Sequence, residues 1–271
     1  MKIKDNIKQI KVVKQNITKL AILREQITNF SWPRQQVKSF IVVCRGRSGT
    51  TCFLDLLSSH PQVLSDPHNF FDYENLPLNF ERAKFVNSHK NVFGFKFRSP
   101  KNESRSLENI ASIQAKYRIL VEQGVIIFYL KRHNLLKRAV SEVVANTKRQ
   151  KFNYRHRDEI PDNQFNLSPE EVIAALTMCD EEARFDEQVM AGVPHISVSY
   201  ESDLEHQHSH QATLDRCCEA LGLNQAVAQT QFIKIAPPNF EEYITNWSEV
   251  SSSIANSRYK SWLTEPSTIK L

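Results

Sequence analysis

Apolar residues along this chain fall into two rhythms. Short, nearly unbroken runs at 40–43 (F-I-V-V), 92–97 (V-F-G-F-K-F), 125–130 (V-I-I-F-Y-L) and 195–200 (H-I-S-V-S-Y) predict strands. The run at 125–130 lacks polar alternation, as a central parallel strand covered on both faces requires. Between the runs, apolar positions recur every three or four residues, which predicts helices over 51–59, 107–123, 135–146, 169–191 and 212–221. Ser168, Pro169 and Glu171 mark the start of the fourth helix, and Gly222 closes the fifth. Residues 61–77 read as loop-rich, and 148–168 as a polar, basic lid or mobile loop. This alternation predicts an α/β fold of three layers, α/β/α, around a central, mostly parallel sheet. Ligands of such sheets sit at the carboxyl ends of the strands.

Ahead of the first strand, residues 1–30 carry Ile3, Ile7, Ile10, Val13, Ile17, Leu20 and Ile27 at helical spacing, and Pro33 ends the pattern. The expected organisation is therefore a basic amphipathic extension over 1–36 and a main domain over 37–271. Charge sharpens this division. The whole chain has a formal charge of +5, while residues 1–36 hold eight basic and two acidic side chains, so the main body is close to neutral. Three readings of the extension stand open: a helix packed on the body or on a second copy, a helix on a membrane surface or polyanion, and a disordered tail.

At 271 residues the chain is long enough for one sizeable core. No apolar run approaches the ~18 residues of a membrane span, and the start lacks the apolar core of a secretory signal. The five cysteines have no C-x-x-C spacing and do not read as a disulfide framework. Reduced thiols and a cytoplasmic location are expected. No metal-ligand cluster and no nucleic-acid-binding pattern is legible.

The chemistry gathers after the first strand, in Arg45–Gly46–Arg47–Ser48–Gly49–Thr50–Thr51. A strand, a tight glycine turn and a helix start aim unpaired amides and the positive end of a helix dipole at one point. Arg45 and Arg47 add charge, and Ser48, Thr50 and Thr51 add hydroxyl donors. A phosphate or phosphate-like ester is the expected ligand; an ordinary capped helix start is the competing reading. A nucleoside-triphosphate P-loop needs Lys after its last glycine, and here Thr50 follows Gly49.

The string R-S-G-T-T at 47–51, followed by Leu56–Leu57 and His60–Pro61, resembles the 5′-phosphosulfate-binding loop of sulfotransferases. The end of the central strand, K-R-H-N-L-L-K-R-A-V-S at 131–141, resembles their 3′-phosphate-binding stretch, and most closely that of bacterial carbohydrate enzymes of the trehalose and nodulation-factor types. Val198–Ser199–Tyr200–Glu201, Gly94–Phe95–Lys96 and the closing region from Ile244 to Tyr259 add weaker matches. The resemblance covers about residues 38–263. The R-K-G-x-x-G-D-W string of the cytosolic steroid and phenol enzymes is missing, which leaves the adenosine side unassigned.

The resemblance implies a P-loop-like fold and transfer of a sulfuryl group from 3′-phosphoadenosine 5′-phosphosulfate (PAPS) to a hydroxyl of a carbohydrate or glycolipid, without a metal. It implies that Arg45, Gly46, Arg47, Ser48, Gly49, Thr50 and Thr51 hold the 5′ end of the donor, and that Arg132 and Ser141 hold the 3′-phosphate. Arg47 and Lys96 would stabilise the leaving group. Asp66, with His68 as second choice, would take the acceptor proton, on the likeness of 65–71 to an acidic segment of the trehalose-type enzymes. Two other classes compete: a P-loop kinase or NTPase, and a non-catalytic protein that binds polyanions or membranes through 1–30.

Overall fold

A computed structural model describes residues 38–66, 91–98, 107–148, 164–232 and 239–264. The extension over 1–36, His68, and most of the expected lid lie outside the described residues. Five strands form one sheet: β1 (Lys38–Cys44), β2 (Val63–Asp66), β3 (Val92–Arg98), β4 (Val125–Lys131) and β5 (Ile196–Ser199). Their order is β2-β3-β1-β4-β5, and every pairing is parallel. The helices are α1 (Thr50–Ser58), α2 (Leu107–Glu122), α3 (Leu135–Lys148), α4 (Pro169–Met190), α5 (Gln207–Leu221) and α6 (Trp247–Ala255).

Alternate residues of β1 serve opposite cores, which is why its run is continuously apolar. Ile41 and Val43 pack with Phe93, Phe95, Ile127 and the buried faces of α2 and α4. Phe40, Val42 and Cys44 pack with Phe128, Leu130, α1 and α5. The Phe128 ring meets Phe40 and Phe53 edge-on, each at 5.6 Å between centroids. A third cluster joins α3, α4 and α6 and includes Phe165 and Tyr259. The α/β fold with helices on both sheet faces is thus observed.

Three local expectations are corrected. Residues 63–66, expected in a loop, pair with Val92–Phe95 as edge strand β2. The last strand stops at Ser199, and Tyr200–Leu204 forms a π-helical turn closed by Glu205 N–H to Tyr200 O at 2.8 Å. The fifth helix begins at Gln207, five residues before its first expected position. Its opening turn is polar, and His210 Nε2 lies 2.9 Å from Leu204 O, tying it back to the turn before it.

The direction in which strands are added to the sheet reverses between β1 and β4. From β1 the chain moves toward β2 and β3; from β4 it moves toward β5. The crevice at the carboxyl ends of β1 and β4 is the position where such sheets bind ligands.

Candidate anion-binding site

The loop after β1 and the start of α3 meet at this crevice. Gly49 is the N-cap of α1, with φ +85° and no side-chain cap. The first intrahelical bond runs from Phe53 N–H to Gly49 O at 3.1 Å, so the amides ahead of it keep their capacity for a ligand. Arg47 also sits in the left-handed region, at φ +61°. A Cβ on Gly49 would lie 2.5 Å from Cδ2 of Tyr200, so glycine is required by conformation and by space.

Arg47 and Ser141, expected on separate ligand ends, touch directly: Arg47 Nε donates to Ser141 Oγ at 2.9 Å. Arg132 Nη1 donates to the Arg47 carbonyl at 3.0 Å. Its guanidinium lies 4.6 Å from the centre of the Tyr200 ring, a cation–π contact. Its buried Nε makes no hydrogen bond among the described residues. Burial pushes the Tyr200 phenol up, with Arg132 opposing. The next residue, Glu201, accepts the His133 and Asn134 amides, each at 3.0 Å. A carboxylate therefore already caps the start of α3, and Asn134 Oδ1 accepts from Lys137 N–H at 2.8 Å.

Arg45 has a different setting from the other loop residues. Its Nε and Nη2 fork onto Asp186 at 2.7 Å each, and Nη1 reaches Glu182 at 3.4 Å. Arg138 joins this cluster through Glu182 and donates from Nε to the Gly46 carbonyl at 3.2 Å. Burial alone would push the Arg45 pKa down; the Asp186 hydrogen bond and the two carboxylates raise it instead. Ser48 is buried, while Gly46 is half-buried beside Glu142, whose Oε2 would be 3.6 Å from an added Cβ. Thr50 and Thr51 are half-buried in the first turn of α1.

Lys96 pairs in register with Val42, two residues short of the β3 end, on the α1 face of the sheet. Asp66 is the last residue of β2 and is level with Phe95. One strand, β3, separates it from β1 and its loop, a distance of two strand spacings or about 10 Å. The Asp66 side chain lies outside the described residues, as does His68.

A cleft of about 220 Å³ opens beside the loop, lined by Ser48, Lys131, Arg132, Arg184, Glu187 and Trp262 among others. Among the described residues no group of acidic, histidine and cysteine side chains has the form of a metal site. No described helix is long and apolar enough to cross a membrane.

Four participants were not assigned from sequence: Arg138, Glu182, Asp186 and Glu201. The two acidic residues of α4 did leave a signal. The buried stripe of α4 runs Val172, Leu176, Cys179, then Asp186, Val189 and Met190. Glu182 and Asp186 fall where the helical period calls for apolar residues. A charge in that stripe implies a buried partner of opposite sign.

Comparison with protein-family models finds no match, and neither does comparison with curated proteins. Among solved structures, a sulfotransferase from Alicyclobacillus acidocaldarius is similar to this chain at 13% identity, over 86% of this chain and 99% of that chain, with a TM-score of 0.42.

Proposed function

We propose that this protein is a sulfotransferase that moves a sulfuryl group from PAPS to a hydroxyl of a carbohydrate or glycolipid. The observation that carries this reading is the contact of Arg47 with both Ser141 and Arg132. Arg47 of the loop after β1, Arg132 at the end of β4 and Ser141 of α3, each expected to hold the donor, form one polar surface with two cations at the switch point of the sheet. The residues fit an anionic donor. The uncapped start of α1 offers amides, and the unpartnered Nε of Arg132 is a ready donor for a phosphate oxygen.

Sulfuryl transfer is an in-line displacement analogous to phosphoryl transfer, in which charge grows on the leaving-group oxygen. Arg47 and the first amides of α1 stabilise that charge, and Thr50 and Thr51 supply hydroxyl donors beside them. Arg132 and Ser141 hold the 3′-phosphate. Asp66 takes the proton of the attacking hydroxyl, with Lys96 on the neighbouring strand supporting the leaving group. The mixed charges and the indole of the adjoining cleft suit a hydroxylated, polar acceptor.

Incubation with PAPS carrying labelled sulfate and a panel of sugars, glycolipids and peptides tests the proposal. Label is expected in a sugar-containing product, in EDTA as well as in magnesium. Label in no acceptor, together with no binding of adenosine 3′,5′-bisphosphate, would overturn it.

A further inference from the structure

The loop after β1 carries its candidate chemistry on backbone amides, yet its conformation is not one that a chain adopts unaided. Arg47 occupies left-handed φ without being glycine, a conformation that costs an L side chain local strain. Something must hold it there.

Two arginines do so. Arg138 binds the Gly46 carbonyl and Arg132 binds the Arg47 carbonyl. In a trans peptide the C=O of one residue and the N–H of the next point in opposite directions. Fixing the Gly46 and Arg47 carbonyls therefore aims the Arg47 and Ser48 amides away from the arginines. The direction of the amides is set by what holds the carbonyls.

The chain of contacts ends on α4. Glu182 bridges Arg138 and Arg45, and Asp186 takes the Arg45 fork. The cluster is neutral, with two cations and two carboxylates, and is nearly dry. Side-chain exposure is 7% for both arginines, 4% for Asp186 and 13% for Glu182. Buried ion pairs of this kind add little net stability compared with apolar residues of the same volume. Their value here is geometric. Helix α4 is 22 residues long, packs on the sheet through Phe185, Val189 and Met190, and on α3 and α6 through Val172 and Leu176, which makes it a firm anchor.

We propose that Glu182 and Asp186 are positioning residues: through Arg138 and Arg45 they fix the Gly46–Gly49 loop in the shape that meets the donor's anionic end. The role in donor binding rests on the sulfotransferase reading; the anchoring of the loop does not. Asp186 is engaged by Arg45, and Glu182 by Arg45 and Arg138.

The test replaces the inner ion pair with apolar residues, Arg45→Met with Asp186→Leu, and reads three quantities. These are the thermal midpoint, the affinity for adenosine 3′,5′-bisphosphate, and the rate of trypsin cleavage after Arg47 in the folded protein, mapped by mass spectrometry. A purely structural pair would be replaced without loss in any of them. The expected result is a retained midpoint, at least tenfold faster cleavage after Arg47, and at least tenfold weaker bisphosphate binding. A retained midpoint with parental cleavage and affinity overturns the proposal. Should the double variant fail to fold, Glu182→Gln serves, since it keeps volume and removes only the bridging charge. Severalfold faster cleavage supports the anchor, and a parental rate overturns it. If the parent protein binds no bisphosphate, the sulfotransferase reading falls, and the cleavage comparison still decides the anchor.

Discussion

Gly49 and Arg132 are the residues on which the site's geometry turns, and each makes a distinct prediction. Gly49→Ala places a side chain at φ +85° and 2.5 Å from the Tyr200 ring. Left-handed strain and overpacking together destabilise by about 2–4 kcal/mol. Urea denaturation should record that loss, and a variant as stable as the parent would mean the loop is differently shaped. Arg132→Lys keeps the charge but loses the planar fork that serves the Arg47 carbonyl, the Tyr200 ring and the free Nε at once. Bisphosphate affinity, measured by calorimetry, should fall at least tenfold, with the thermal midpoint little changed. Next to them, burial raises the Cys52 thiol to about 11, against a weaker opposing hydrogen bond from Thr230. The reactive species is the thiolate, so at pH 8 only about one thiol in a thousand is reactive. Iodoacetamide should modify Cys52 far more slowly in the native protein than after denaturation; equal rates would show an open α1. At this scale the glycines and loop arginines were legible because spacing alone marks a strand–turn–helix. The partner of Arg45 was not, because Asp186 lies 141 residues away and no local pattern joins them.

Elements were legible in proportion to their length and periodicity. Strand β4 and helix α4 match their expected spans to within a residue, because one is apolar throughout and the other has a cap, a proline and six turns of period. Strand β2 was missed. Its four residues, V-L-S-D, sit on the sheet edge and are held by pairing to β3 rather than by any preference of their own. The polar first turn of α5 was missed for the same reason, since contacts to Leu204 and Asp203 from His210 and Thr213 define it. The cap of α4 yields a prediction at this scale. Ser168 Oγ accepts the Glu171 amide at 3.2 Å at the start of the helix, more than three turns from Glu182. Ser168→Ala should cost about 1 kcal/mol in urea denaturation. Bisphosphate affinity should stay at the parental value, because the far part of α4 is held by two apolar clusters. A tenfold loss of affinity would mean that fraying at Ser168 reaches the loop and that α4 is less firm than its packing implies.

For the molecule as a whole, the sulfotransferase reading turns into a linkage argument. A ligand that binds only the folded state adds about 2.7 kcal/mol at a hundredfold excess over its dissociation constant. For an ordered body of this size each kcal/mol moves the midpoint by about 2–4 °C, so adenosine 3′,5′-bisphosphate should raise it by about 5–11 °C. On that reading the increment needs no magnesium, since Arg47, Arg132 and the amides of α1 would meet the charge of both phosphates. Removing the 3′-phosphate would take away the proposed partner of Arg132 and Ser141, so adenosine 5′-phosphate at the same concentration should give a much smaller rise. Salt should reduce both shifts, because the two arginines are only partly buried and remain open to screening. An equal shift with the 5′-monophosphate would detach Arg132 from any phosphate. A shift that appears only with magnesium and ATP would return the chain to the kinase class, even though Thr50 stands where that class has lysine. Differential scanning fluorimetry with the two nucleotides, in EDTA and in magnesium, separates these outcomes in one experiment.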